Sequence, residues 1–251
     1  MSDRWVPALL RPRPSGPAAR VVAWLPAWPP AAVFVVALLA GFVAFAAVSV
    51  LLGTLVTEVV LGSGGIRDAD EGVVDELAAG RTPLLDDVSS VVSWIGGGPA
   101  LASLAGLVAL VAAVRRNWLI AVFVACLLPV ETAAYRLTLN LVARDRPGVE
   151  RLDGLPLGGS YPSGHSAASV AVYAGLMLLV IPAVRSRHTR AIAWTIAVAV
   201  PMLVALSRLY RGMHHPLDVV GGVVVGLGTL TVVVFACRAA ASVTRPRPAD
   251  R

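Results

Sequence analysis

The 251-residue chain contains no lysine: all 21 basic residues are arginines, set against 15 Asp and Glu. Charged residues make up only 14% of the chain, where a soluble domain carries about 25%. Aromatics reach 6% and cysteines number two. The low charge excludes an ordinary soluble domain. The arginines fall in short clusters between apolar runs, with no basic groove interleaved with aromatics, which excludes a nucleic-acid surface despite the net charge of +6. Cys126 and Cys237 both lie in apolar runs and read as small buried hydrophobes rather than a disulfide or metal pair. What the chain has in abundance is apolar sequence: 57% hydrophobic residues, with a mean hydropathy of +0.77.

A bilayer core of about 30 Å is crossed by about 20 apolar residues in a helix. Six segments qualify: Ala31–Val60, Val88–Val114, Trp118–Val142, Ser166–Val184, Ala191–Leu206 and Leu217–Ala239. The expected fold class is therefore all-α, a polytopic membrane bundle of six transmembrane helices over 31–239. A Pro/Arg-rich N-terminal segment, 1–30, is expected to precede it and a disordered tail, 240–251, to follow. The first part of the N-terminal segment is also expected to be disordered, with Trp24 and Trp28 at the membrane interface. Arginines at 4, 11, 13, 20, 115, 116, 185, 187, 190, 238, 245, 247 and 251 all fall on one side of a six-span topology. The positive-inside rule makes that side, with both termini, cytoplasmic in a bacterial inner membrane. The acidic segment Gly62–Asp87 falls outside, and its apolar residues at helical spacing predict a short helix lying on the membrane or over the site.

Three polar clusters lie at the same, outer depth: Arg144-Asp145-Arg146-Pro147, Tyr161-Pro162-Ser163-Gly164-His165, and Ser207 to Asp218. Arg146 and Arg208 are permanent cations whose planar forks match phosphate oxygens. Pro162 suits the first turn of a helix, which leaves the Ser163 and Gly164 N–H groups as anion donors. His214 and Asp218 are four apart, a spacing that predicts a carboxylate fixing the imidazole tautomer and freeing the other nitrogen for attack. His165 is placed to protonate a leaving alkoxide. The set predicts hydrolysis through a phosphohistidine, with no metal and no other cofactor.

These residues resemble the three-part signature of the type 2 phosphatidic acid phosphatases, the lipid phosphate phosphatases, which share a core with vanadium haloperoxidases and bacterial acid phosphatases. The resemblance rests on Arg146-Pro147, Pro162-Ser163-Gly164-His165 and Ser207-Arg208 with His214 and Asp218. It implies His214 as nucleophile, Asp218 as its orienting partner and His165 as general acid. Arg146, Ser163, Gly164 and Arg208 then bind the phosphoryl group. The family usually has a lysine seven residues before Arg146, where this chain has Leu139; Arg144 or Arg136 is expected to substitute, and Arg144 joins the substrate-binding set. The implied substrate is a lipid in the bilayer: a polyprenyl diphosphate, favoured for an outward bacterial site, phosphatidic acid or phosphatidylglycerol phosphate. A lipid-phosphate binder or transporter without turnover, and a phosphotransferase using the same histidine, are the alternatives. Glu131 and Arg136 are expected to form a structural pair, with orienting the site or marking an ion path as the alternatives, Arg211 to be either an interface anchor or a substrate ligand, and His215 to belong to the packing shell.

Overall fold

The computed structural model describes residues 6–23, 28–154 and 158–243. Nine helices are described. After a 3-10 turn at Ala8–Leu10 come α1 (Pro17–Ala23), α2 (Pro30–Val60), α3 (Gly64–Ala79), α4 (Pro83–Ile95) and α5 (Gly98–Val114). Then follow α6 (Trp118–Leu141), α7 (Gly164–Ala183), α8 (Arg187–Tyr210) and α9 (Pro216–Val243). Five of these, α2 and α6 to α9, are each long and apolar enough to span a membrane. The sixth expected span is not one helix: α4 and α5 meet at a 42° bend. The sequence Gly96-Gly97-Gly98-Pro99 explains the break. Pro99 lacks the N–H that a continuous helix needs, and Gly96 lets α8 press in, since a Cβ there would lie 2.3 Å from Val204.

Large apolar side chains such as Val43, Leu51, Leu110 and Met202 project outward, where a lipid environment satisfies them. Inside, Leu101, Phe123, Val124, Leu127, Val172, Val233 and Cys237 form the main cluster. Both cysteines are free thiols, and Cys237 is fully buried. The centre of the bundle is α9, which packs on α2, α6, α7 and α1. Gly222 allows this closeness at the critical point: a Cβ there would lie 2.4 Å from the Ser163 carbonyl oxygen. Between α2 and α6, Ser49 and Thr138 share a buried 2.8 Å hydrogen bond.

Two expectations about the ends need correction. Residues 6–23 of the N-terminal stretch form the 3-10 turn and α1. Leu10 is wholly buried in the main cluster, Arg238 donates through Nε to the Leu9 carbonyl at 2.8 Å, and α1 lies against α9. Apolar Val6, Leu9 and Leu10 outweigh the prolines around them. At the other end α9 continues to Val243, so 240–243 are helix rather than tail. Trp5, Trp24 and residues 244–251 lie outside the described residues. The acidic segment does form a helix, α3, and it packs on α8 and α9 at the end of the bundle where the three polar clusters converge.

Candidate active site

The turn between α8 and α9 builds the site. α8 runs to Tyr210, and Gly212, at a φ of +67°, folds the chain back so that α9 can start at Pro216. Arg211 pins this turn. It contacts Asp153 at 2.6 Å and donates to the Asp86 and Leu152 carbonyls and to Ser89. It is buried and fully engaged, which makes it a structural clamp rather than an interface anchor or a substrate ligand. The same contacts hold Asp153: burial alone would raise its carboxyl, but hydrogen bonds from Arg211 and Arg208 outweigh this and keep it below the ordinary value of 3.8.

Asp218 is the third residue of α9, and its carboxylate reaches back to the N–H of His215, just before the helix, at 2.8 Å. It also accepts from His215 Nδ1 at 3.3 Å and from Arg144. Its distance to His214 Nδ1 is 3.8 Å. The imidazole instead donates from Nδ1 to the Ser160 carbonyl at 2.8 Å. A carbonyl only accepts, so Nδ1 carries the proton and Nε2 keeps its lone pair. The expected tautomer is therefore present, but the Ser160 backbone is its nearest partner, with Asp218 one step behind. Nε2 makes no hydrogen bond among the described residues. Burial lowers the His214 pKa from its ordinary 6.5, an effect that Asp218 partly opposes.

Arg208, wholly buried, faces His214 and His165 closely enough to interact electrostatically with both. Its Nη1 donates to Ser93 and Asp153, while Nε and Nη2 are buried without a partner. Two oriented guanidinium donors left unpaired are costly unless something anionic completes them. Arg146 is held by the Gly158 carbonyl at 3.1 Å and the Met213 carbonyl at 2.7 Å, which aims the rest of its fork at the same space.

The start of α7 departs from expectation in detail. Pro162 follows a cis Tyr161–Pro162 bond and stands before the helix, which begins at Gly164. Ser163 is its N-cap: Oγ accepts from Ser166 Oγ at 2.9 Å, and the Ser163 N–H donates to the Asp218 carbonyl at 2.9 Å. Its backbone is thus not a free anion donor. The N–H groups of Gly164 and His165 have no acceptor among the described residues, so the free donors of this helix start lie one residue further on. Gly164 packs on the Tyr135 ring, which a Cβ would approach at 3.0 Å.

His214, His165, Arg146 and Gly164 border one cavity of about 860 Å³ that runs down α6 past Arg136, Tyr135 and Glu131. Arg144 does not reach it. Its guanidinium is spent on Asp218 and on Asp70 of α3, and Asp70 also caps α9 by accepting from the Leu217 N–H at 2.9 Å. Arg136 is the cation that remains in the cavity wall; it makes no ion pair with Glu131, so the expected pair does not form. Sequence reasoning missed Asp70, Ser93, Asp153 and Ser160. Asp153 carried one signal, as the last acid in the segment that precedes the Pro-Ser-Gly-His cluster.

A family model described as the PAP2 superfamily matches residues 140–242. That segment belongs to the PAP2 superfamily. It is 28% identical over 190 residues to phosphatidylglycerophosphatase B of Bacillus subtilis, covering 72% of this chain and 89% of that protein. Among solved structures, the fold matches a transmembrane PAP2-type phosphatidylglycerolphosphate phosphatase from Bacillus subtilis. That match has a TM-score of 0.64 and 23% identity, over 76% of this chain and 93% of that one. Aquifex aeolicus LpxE matches with a TM-score of 0.50 and 22% identity, over 65% of this chain and 94% of that one. The matched family segment begins at Asn140 and contains all three polar clusters, so the part that the family shares carries Arg146, His165 and His214 of the cavity, while Arg136 lies just before it.

Proposed function

We propose that this PAP2 protein is a lipid phosphate phosphatase acting through a phosphohistidine on His214. The observation that carries the reading is the pairing of His214, with Nε2 open and Nδ1 fixed on Ser160, with the two unpartnered donors of buried Arg208. The phosphate sits between Arg208, Arg146 and the Gly164 and His165 N–H groups. His214 Nε2 attacks phosphorus; the bond to the leaving oxygen breaks, and that oxygen takes the proton of His165. Water then attacks phosphorus, His165 accepts its proton, the N–P bond breaks, and inorganic phosphate leaves with His214 restored. Asp218 and the Ser160 carbonyl hold the imidazolium charge that builds during attack. The cations supply the charge stabilisation that a metal gives in other phosphatases, so no metal is needed.

The substrate favoured is a glycerophospholipid monoester of the phosphatidylglycerophosphate type. The name of the Bacillus subtilis relative supports it, whereas the polyprenyl diphosphate favoured by location alone has no such support. The site end of the bundle is assigned to the extracytoplasmic face, because Arg115, Arg116, Arg187 and Arg190 all fall at the opposite helix ends. Arg136 takes the place of the family lysine. The test is phosphate release from a panel of lipid phosphates in detergent and chelator, comparing wild type with His214→Ala. Release that needs wild-type His214 and no magnesium is expected. Release that persists in the variant, or that appears only with magnesium, overturns the proposal.

A further inference from the structure

Glu131 is used by nothing described so far. It lies within α6, where a carboxyl group is expensive unless it is partnered. The residue is 2% exposed. Its Oε2 accepts from Thr132 at 3.2 Å, but Oε1 is buried with no partner. Yet Glu131 borders the cavity that reaches His165, His214 and Arg146. Tyr135 lies one turn nearer the site, and its hydroxyl also has no partner among the described residues. The Tyr135 ring touches Gly164, whose N–H is an anion donor, so Glu131 lies about 6 Å deeper, four residues at 1.5 Å each. Apart from Thr132, already on Oε2, and Arg136, which makes no ion pair with Glu131, the wall beside it is apolar: Ala102, Leu128, Pro129 and Ala168. A lipid with its phosphate at His214 must lay its first carbons along this stretch.

We propose that Glu131 is the specificity-determining residue of the lipid pocket, accepting a hydrogen bond from a free hydroxyl on the phosphorylated glycerol unit of the substrate. This rests on the hydrolase reading above and narrows it. A phosphorylated glycerol headgroup or a lysolipid phosphate carries such a hydroxyl next to the phosphorylated carbon. Phosphatidic acid has only esters there, and a polyprenyl phosphate only hydrocarbon. A hydroxyl completes Oε1, which no described side chain partners, and the same lipid without that oxygen leaves the carboxyl unpaired in a drier cavity. Sites built in this way reject the analogue that lacks the group far more strongly than apolar pockets reject a changed carbon.

The decisive pair is lysophosphatidic acid and its 2-deoxy analogue of equal chain length, presented in detergent, with a polyprenyl monophosphate as third substrate. Wild type is expected to prefer the hydroxylated lipid by about tenfold or more in kcat/KM. Glu131→Leu should erase that preference by losing activity on the hydroxylated lipid while keeping it on the deoxy and polyprenyl substrates. Glu131→Gln, which keeps an acceptor oxygen, should retain the preference. Equal wild-type rates on the matched pair overturn the proposal, as does a preference that survives in Glu131→Leu or a uniform loss on all three lipids. Absence of turnover by wild type refutes the hydrolase reading instead. Competitive binding of the matched pair to His214→Ala and to His214→Ala/Glu131→Leu then decides Glu131 separately: preference only in the first supports its role, and equal binding to the first overturns it.

Discussion

Arg208→Lys isolates the contribution of geometry from that of charge. In the structure Nη1 of Arg208 serves Asp153 and Ser93, and Nε and Nη2 are the two donors left for phosphate. A hydrogen bond to a charged group contributes roughly 1.5–3 kcal/mol, so the pair supplies about 3–6 kcal/mol to binding of the phosphoryl group. Lysine keeps the positive charge but has no fork, and one ammonium cannot satisfy Asp153 and both phosphate positions. Crediting it with one of the two contacts leaves a loss of about 1.5–3 kcal/mol, or roughly 10- to 150-fold in kcat/KM. Asp153 retains Arg211, so the turn should stay folded. The assay is phosphate release in detergent, with thermal unfolding as a folding control and inhibition by inorganic phosphate as a second readout. Both kcat/KM and phosphate affinity should weaken. If Arg208→Lys stays within about threefold of wild type on both, the unpartnered nitrogens do not face the phosphate and the site assignment is wrong.

Asp70→Asn keeps the acceptor for the Leu217 N–H but removes a charge from Arg144; kcat should fall about fivefold with KM little changed, and an effect confined to KM would contradict a role behind Asp218. The two arginines once considered interchangeable should separate. Arg136→Ala should raise KM roughly tenfold and preserve kcat, whereas Arg144→Ala should lower kcat and also destabilise the protein by about 2–4 kcal/mol, because it leaves buried Asp70 and Asp218 unpaired. The reverse pattern in steady-state kinetics would reassign them. An acid limb in kcat/KM and an alkaline limb in kcat should bound the working pH range. Because burial lowers the His214 pKa, the nucleophile stays neutral as pH drops through 6.5, so the acid limb should have its midpoint below that value. The alkaline limb, read in kcat, comes from loss of the His165 proton in the complex, which the bound phosphate dianion stabilises. An acid midpoint above neutrality would contradict the buried, neutral His214.

The spans were legible because apolar length is a direct requirement of the bilayer, and the site was legible because three polar clusters interrupt that pattern at one depth. What stayed hidden depends on backbone direction. The four-residue spacing of His214 and Asp218 suggested one helical face, but α9 begins at Pro216, so His214 lies off the helix and turns to the Ser160 carbonyl. Asp218 is drawn to the helix end it caps. Ser163 looked like an anion donor; its N–H is consumed because Gly222 lets α9 come close enough for the Asp218 carbonyl to accept it. Arg144 looked like a phosphate ligand because nothing in the sequence links it to Asp70, 74 residues away. The break at Gly96–Gly98 was invisible to hydropathy, since glycine interrupts a helix without interrupting an apolar run.

The most direct test of phosphohistidine chemistry is to mix the protein with a lipid labelled in its terminal phosphate, quench within the first turnover in base, and map the label. Label on His214, stable in base, released by acid and absent from His214→Ala, is expected. Rapid phosphate release with no label on the protein, or with label on a residue other than His214, would contradict it.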